Sequence, residues 1–183
     1  MLLSDIKLFS PEIILILGAI FILLYGIFFK KDKNSNKKIL YISLISLIAS
    51  LYCSIYVVDI GTNSFNNLLN NNLYTLFFKI LVFTGTIVII YISYEYLKDL
   101  SLITPEFFFL ILLSLVGILV LISSRNIISM YLGLELQSIC LYILASYRKY
   151  DIKSSEAGVK YFITGALSSG VLLYGLSIIY AFT

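Results

Sequence analysis

The chain has 183 residues, 60% of them hydrophobic and 13% charged, with a mean hydropathy of +1.00. A water-soluble domain sits nearer half apolar and a quarter charged, so this composition belongs to the membrane class. The formal charge of +3 does not point to nucleic acid, because Lys and Arg fall mainly between apolar runs, where they act as topology signals.

Six apolar runs are long enough to cross a hydrocarbon core, near 11–29, 39–58, 73–94, 105–124, 126–146 and 156–181. The expected fold is an all-α integral membrane protein, a single transmembrane domain of six helices over residues 1–183. The first run is not read as a signal peptide: Asp5 and Lys7 precede it, and no small-residue cleavage site follows. Ser10-Pro11-Glu12 opens it with a capping hydroxyl, a proline at the first helical position and a carboxylate at the positive end of the dipole. Thr104-Pro105-Glu106 repeats that start at the fourth helix, and Ser154, Ser155 and Glu156 make a similar one for the sixth. Both prolines lie at helix starts, so no span should carry a proline kink. Lys-rich 30–38 and Asn-rich 62–72 read as loops.

Loop charges orient the chain. Lys30, Lys31, Lys33, Lys37, Lys38, Lys98, Arg148, Lys149 and Lys153 fall on one side, against Lys7 and Arg125 on the other. The alternation places the odd-numbered loops inside and both termini outside.

Two stripes of small residues mark helix-packing faces. Ser43, Ser46, Ser50 and Ser54 recur at three- and four-residue steps along the second helix, with hydroxyls available for interhelical bonds. In the sixth, Gly165 with Ser169 and Ala166 with Gly170 form overlapping small-xxx-small pairs. Cys53 and Cys140 lie in apolar runs and read as small buried hydrophobes. With no His and no CxxC spacing, zinc, haem and iron–sulfur sites lack a ligand set, and the scattered glycines form no phosphate-cradling loop.

Chemistry resides in the ionisable residues inside spans. Glu135 falls about nine residues into the fifth helix, roughly 14 Å deep and too far for a carboxylate to reach the surface. Such a group costs about 2.5–3.5 kcal/mol on insertion scales and needs a partner, a wet cavity or a proton. Tyr131, Glu135, Ser138 and Tyr142 share a face with Gln137 nearby, a polar seam expected to look into the bundle; a structural carboxylate that fixes packing is the alternative. Lys160 is the expected partner, one turn into the antiparallel sixth helix, with Thr164 and Ser168 continuing its face. Pairing with Glu156 one turn back, or snorkelling to the inner surface, is the competing reading of Lys160. Lys79, near the outer end of the third helix, is expected to snorkel. A carboxylate and an ammonium on adjacent membrane helices, with hydroxyls along both, are the parts of a proton relay, and equally of a structural ion pair.

The stretch from Tyr131 to Ser146, YLGLELQSICLYILAS, resembles the fifth helix of subunit 2 of mitochondrial respiratory complex I, called subunit N in bacteria. Glu156 to Gly170, EAGVKYFITGALSSG, resembles that family's next helix, and Ser10-Pro-Glu and Pro105-Glu-Phe-Phe fit its first and fourth. The resemblance implies the N-terminal part of an antiporter-like subunit of proton-pumping NADH:ubiquinone oxidoreductase, with Glu135 the key glutamate and Lys160 its coupled lysine. It further implies that this chain carries no cofactor, flavin and iron–sulfur clusters residing elsewhere in the complex. The implied partners are other antiporter-like and small helical membrane-arm subunits, together with lipids. The implied location is the mitochondrial inner membrane or a bacterial plasma membrane; the bias towards Ile, Leu, Phe, Tyr, Asn and Lys, with no Trp, suggests AT-rich coding, found in organellar and in some bacterial genomes. Family members are longer and built on inverted repeats, so a second polypeptide is expected to carry the remaining helices. A component of a stand-alone cation/proton antiporter and a structural remnant of the membrane arm are the rival readings.

Overall fold

A computed structural model describes residues 6–28, 35–58, 63–64, 68–100, 102–148 and 150–182. It contains helices α1 (Ser10–Phe28), α2 (Ser35–Val58), α3 (Leu73–Asp99), α4 (Pro105–Ser123), α5 (Ile127–Ala145) and α6 (Ile152–Phe182). All six are long and apolar enough to cross a membrane. Asp5, Lys30, Lys31, Lys33 and Lys149 lie outside the described residues.

α4 is the centre of the bundle. Apart from Glu106 it carries no charge, and an all-round apolar helix is stable only where neighbours or lipid surround it. Phe108, Leu112, Leu115 and Leu119 are fully sealed, against Leu15 and Ile22 of α1, Leu47 of α2 and Phe83 and Ile90 of α3. On its other side α4 packs along α5, which in turn packs along α6. Lipid is as apolar as leucine, so these helices associate through close packing rather than water exclusion, and small residues mark the closest approaches. At Gly18 an added Cβ would sit 2.6 Å from that of Ser46, and at Gly26 the pyrrolidine ring of Pro105 occupies the missing side chain's place.

Helix boundaries depart from the sequence reading where polar residues continue a helix past its apolar run. α3 extends to Asp99 through Glu95 and Lys98, an exposed i,i+3 pair, and α2 begins at Ser35, taking in Lys37 and Lys38. α6 starts at Ile152, not at the Ser154-Ser155-Glu156 group. Asp151 provides the start, its carboxylate accepting from Lys153 N at 3.0 Å, while Ser154 Oγ donates to Ala145 O at 3.1 Å. Ser10 and Thr104 do not cap with their hydroxyls. Ser10 Oγ donates to Lys7 O at 2.6 Å and lies 2.9 Å from Cys53 Sγ; Thr104 Oγ1 meets Tyr147 Oη at 2.6 Å. The serine stripe of α2 is buried as expected, but Ser43, Ser46 and Ser54 bond back to their own helix. Among the described residues, Ser50 alone of the four reaches across, donating to Pro11 O at 2.8 Å.

The Asn-rich segment is more than a loop. Asn63–Ser64 (β1) and Leu69–Asn70 (β2) pair antiparallel, with Asn63 opposite Asn70 and Ser64 opposite Leu69. Leu69 also bridges Ser124 in the turn between α4 and α5.

Candidate functional site

α5 is started by Asn126, whose side chain accepts from Ile128 N at 3.3 Å. Glu135 then lies about 12 Å along the axis from Ile127. Gly133 sets how α5 meets α4: a Cβ there would lie 2.8 Å from Gly117 O and from Leu121 N. Gly117 is the reciprocal contact, its Cβ position 2.7 Å from both Gly133 O and Gln137 N. Gln137 is therefore part of the α4–α5 seam through its backbone.

Glu135 is half-buried, and its Oε1 is fully buried with no hydrogen-bond partner. The Tyr131 hydroxyl lies beside the carboxylate and also beside Ser169 of α6. Ser138 does not extend this set, because its Oγ donates to Leu134 O of its own helix at 2.8 Å. Tyr142, a turn further on, fills the α5–α6 contact. Its ring stands edge-on to Tyr161 and Phe162, with centroids 4.8 and 5.8 Å away, and its hydroxyl end occupies the space left by Gly165.

Lys160 is not brought to Glu135. It pairs with Glu156 one turn earlier, and both side chains are exposed, at 72% and 58%. The cause is helical phase. Gly158 and Gly165 pack on Ser146 and Tyr142 and so select the face of α6 that meets α5. A residue two positions from Gly158 is rotated by about 200° at 3.6 residues per turn, which turns Lys160 away. Thr164 and Ser168 share that outer face; both are exposed, and Thr164 Oγ1 donates back to Lys160 O at 2.8 Å. Of the small-residue stripes on α6, the face bearing Gly165 and Ser169 meets α5, while a Cβ at Gly170 would touch nothing within 4 Å.

Lys79 does not snorkel. It is 3% exposed, and its Nζ lies 2.9 Å from Glu12 Oε1 and 3.1 Å from Asn71 Oδ1. Glu12, read from the sequence as a dipole-complementing residue, is 1% exposed, and its Oε2 is buried without a hydrogen-bond partner. Asn71 Nδ2 donates to Leu8 O at 3.3 Å, closing the cluster. One sequence signal was available: in an alternating bundle α1 and α3 start on the same side, so a carboxylate and an ammonium near those starts share a depth.

Residues 124–183, the segment of α5 and α6, match the sequence profile of the NADH:quinone oxidoreductase/Mrp antiporter transmembrane family. Proteins named NADH-quinone oxidoreductase subunit N match along nearly the whole chain. The one from Jannaschia sp. is 35% identical over 182 residues, covering 100% of this chain and 38% of its own length. Those from Beijerinckia indica and Pelagibacter ubique are 39% and 38% identical, over 94% and 98% of this chain and 36% and 38% of their own. The chain belongs to the subunit N family. It spans under two-fifths of the length of these subunit N relatives, and corresponds to the N-terminal part of subunit N. In subunit N terms, Glu135 falls inside the matched profile, whereas Glu12 and Lys79 fall before it.

Proposed function

We infer that the chain serves as the N-terminal part of a membrane-arm subunit of proton-pumping NADH:quinone oxidoreductase and contributes the first part of an antiporter-like proton path. The observation that carries the reading is Glu135, mid-span on a helix within the matched segment, with one oxygen buried and unpartnered. A carboxylate so placed, beside a hydroxyl and away from the membrane surface, can exchange a proton with a neighbouring hydroxyl or water. Tyr131 is the hydroxyl beside it, and Ser169 extends the contact to α6. Lys160, on the outer face of α6 with Thr164 and Ser168, is the second ionisable group of the path and faces helices of the complex that lie outside this sequence. Gln137 and Ser138 hold the α5 backbone at the site. NADH and quinone chemistry, with flavin and iron–sulfur clusters, belongs to other subunits.

In this reading the partners are further antiporter-like and small helical membrane-arm subunits, a polypeptide segment bearing the remaining helices of the path, and lipid. The membrane is an energy-coupling one. The relatives named above are bacterial, which favours the plasma membrane; the AT-rich bias favours the mitochondrial inner membrane. Loop charge places both termini on the side opposite Lys98 and Arg148.

The test is Glu135→Gln in the assembled enzyme, read as protons moved per NADH oxidised. The variant keeps shape and removes the titratable group, so proton yield should collapse while assembly persists, and Glu135→Asp should recover part of it. An assembled Glu135→Gln enzyme with full proton yield would sink the reading. The family description also covers Mrp antiporters, so a second reading is a redox-independent cation/proton antiporter. It predicts cation-driven proton exchange in membranes that cannot oxidise NADH.

A further inference from the structure

We propose that Glu12 and Lys79 are positioning residues for the proton relay, fixing through the 68–71 segment the depth at which α5 holds Glu135. The inference rests on the pumping function proposed above.

A continuous set of contacts joins the two places. Lys79 Nζ donates to Glu12 Oε1 and to Asn71 Oδ1, and Asn71 donates to Leu8 O. Asn71 directly follows β2. At the other end of the same short stretch, Leu68 O accepts from Arg125 N at 2.9 Å and from Ser129 Oγ at 3.3 Å, while Leu69 bridges Ser124. The segment thus touches the ion pair at one end and the start of α5 at the other. Only Ser124, Arg125 and Asn126 separate α4 from α5, so the connection has little slack to absorb a shift. Along the α4–α5 seam, backbone meets backbone at Gly117 and Gly133. Displacing the start of α5 therefore slides Gly133, and with it Glu135 two residues on, along α4.

The pair is poorly designed for stability alone. Two charges have been removed from water at a desolvation cost that their attraction only partly offsets, and Glu12 Oε2 is left without a partner. A charge-neutral pair is nonetheless effective at holding place. If either partner loses its charge, the other is drawn towards water, and Asn71 is carried with Lys79.

The experiment uses the assembled enzyme in sealed membrane vesicles and reads protons moved per NADH oxidised. The variants are Asn71→Leu, Glu12→Gln, the exchanged pair Glu12→Lys with Lys79→Glu, and Glu135→Gln. Asn71→Leu and Glu12→Gln are expected to lower proton yield by about twofold or more in assembled enzyme, the range of coupling through intermediate residues. The exchanged pair is expected to restore wild-type yield, since the Asn71 amide can turn over to donate to a carboxylate. Wild-type yield in assembled Asn71→Leu and Glu12→Gln overturns the inference. Should those two fail to assemble, the exchanged pair decides: wild-type yield supports positioning, and reduced yield or failed assembly overturns it. Loss of yield in Glu135→Gln alone removes this inference and leaves the pumping function standing. Full yield in Glu135→Gln removes the pumping function itself.

Discussion

Gly117 of α4 and Gly133 of α5 lie so close that a Cβ on either would come within 2.7–2.8 Å of the other's carbonyl oxygen. The obstacle on each side is main chain, which cannot rotate out of the way as a side-chain tip can. The seam therefore admits no side chain at either position, and it lies two residues from Glu135.

Alanine at Gly133 or at Gly117 should accordingly force the helices apart. Overpacking of this kind costs about 1–3 kcal/mol, and here it should lower both the thermal stability of the detergent-extracted protein and the yield of assembled complex. Gly85→Ala is the control. A Cβ at Gly85 meets nothing within 4 Å, so this variant should melt at or slightly above the wild-type temperature. Equal losses at Gly85 and Gly133 would contradict the seam.

Tyr131→Phe removes the hydroxyl beside Glu135 and Ser169 and leaves the ring in place. An ordinary hydrogen bond contributes about 0.5–1.5 kcal/mol, so proton transfer through the site should slow by about two- to tenfold. Ser169→Ala should have a smaller effect in the same direction, because Tyr131 remains beside the carboxylate. Proton uptake rates after an NADH pulse would check both, and a Ser169→Ala effect exceeding that of Tyr131→Phe would reverse the assigned order.

The span pattern was legible because apolar runs about 20 residues long have few alternatives in a membrane, and Glu135 stood out for the same physical reason. Less legible was rotation about the helix axis. Lys160 shares a plausible depth with Glu135 but points away from it, a matter settled by Gly158 and Gly165, whose contacts define the packed face. Lys79 failed differently. Its depth permits a lysine stem to reach the interface, and only the tertiary placement of Glu12 and Asn71 makes the buried position preferable. Depth can be counted along a sequence; which helices face each other cannot.

The two membrane lysines should therefore separate sharply in stability measurements. Lys79→Met leaves Glu12 buried without its partner, and breaking a buried pair from one side costs about 3–5 kcal/mol. Lys160→Met disrupts an exposed i,i+4 pair with Glu156, for which about 0.3–0.5 kcal/mol is typical. Thermal denaturation of the purified complex, followed by loss of this chain from the native-gel band, should show a large downward shift for the first and almost none for the second. Comparable shifts would mean that Lys160 is far more engaged than its contacts within this chain indicate.

Tyr147, just past the end of α5, supplies a pH-dependent prediction. Its hydroxyl donates to Leu102 O at 3.1 Å and meets Thr104 Oγ1 at 2.6 Å, and its ring stands edge-on to Phe107. Burial pushes its pKa above the ordinary 10.0; the Thr104 hydrogen bond pulls it down, and the nearby Glu106 charge adds a smaller upward push. Between the unfolded and folded pKa values the unfolded chain loses this proton while the folded one keeps it. The contribution to stability is thus fully present below about pH 10 and declines as pH rises through the folded value. Tyr147→Phe should cost about 1–2 kcal/mol at neutral pH from the lost hydrogen bonds. The gap between variant and wild type should narrow above pH 10, because the variant has no proton to lose at this site. Melting temperatures of both proteins at pH 7 and pH 10.5 would measure the gap directly. A gap that widens at the higher pH would show that the fold favours the phenolate, the opposite of what burial against Phe107 and Glu106 requires.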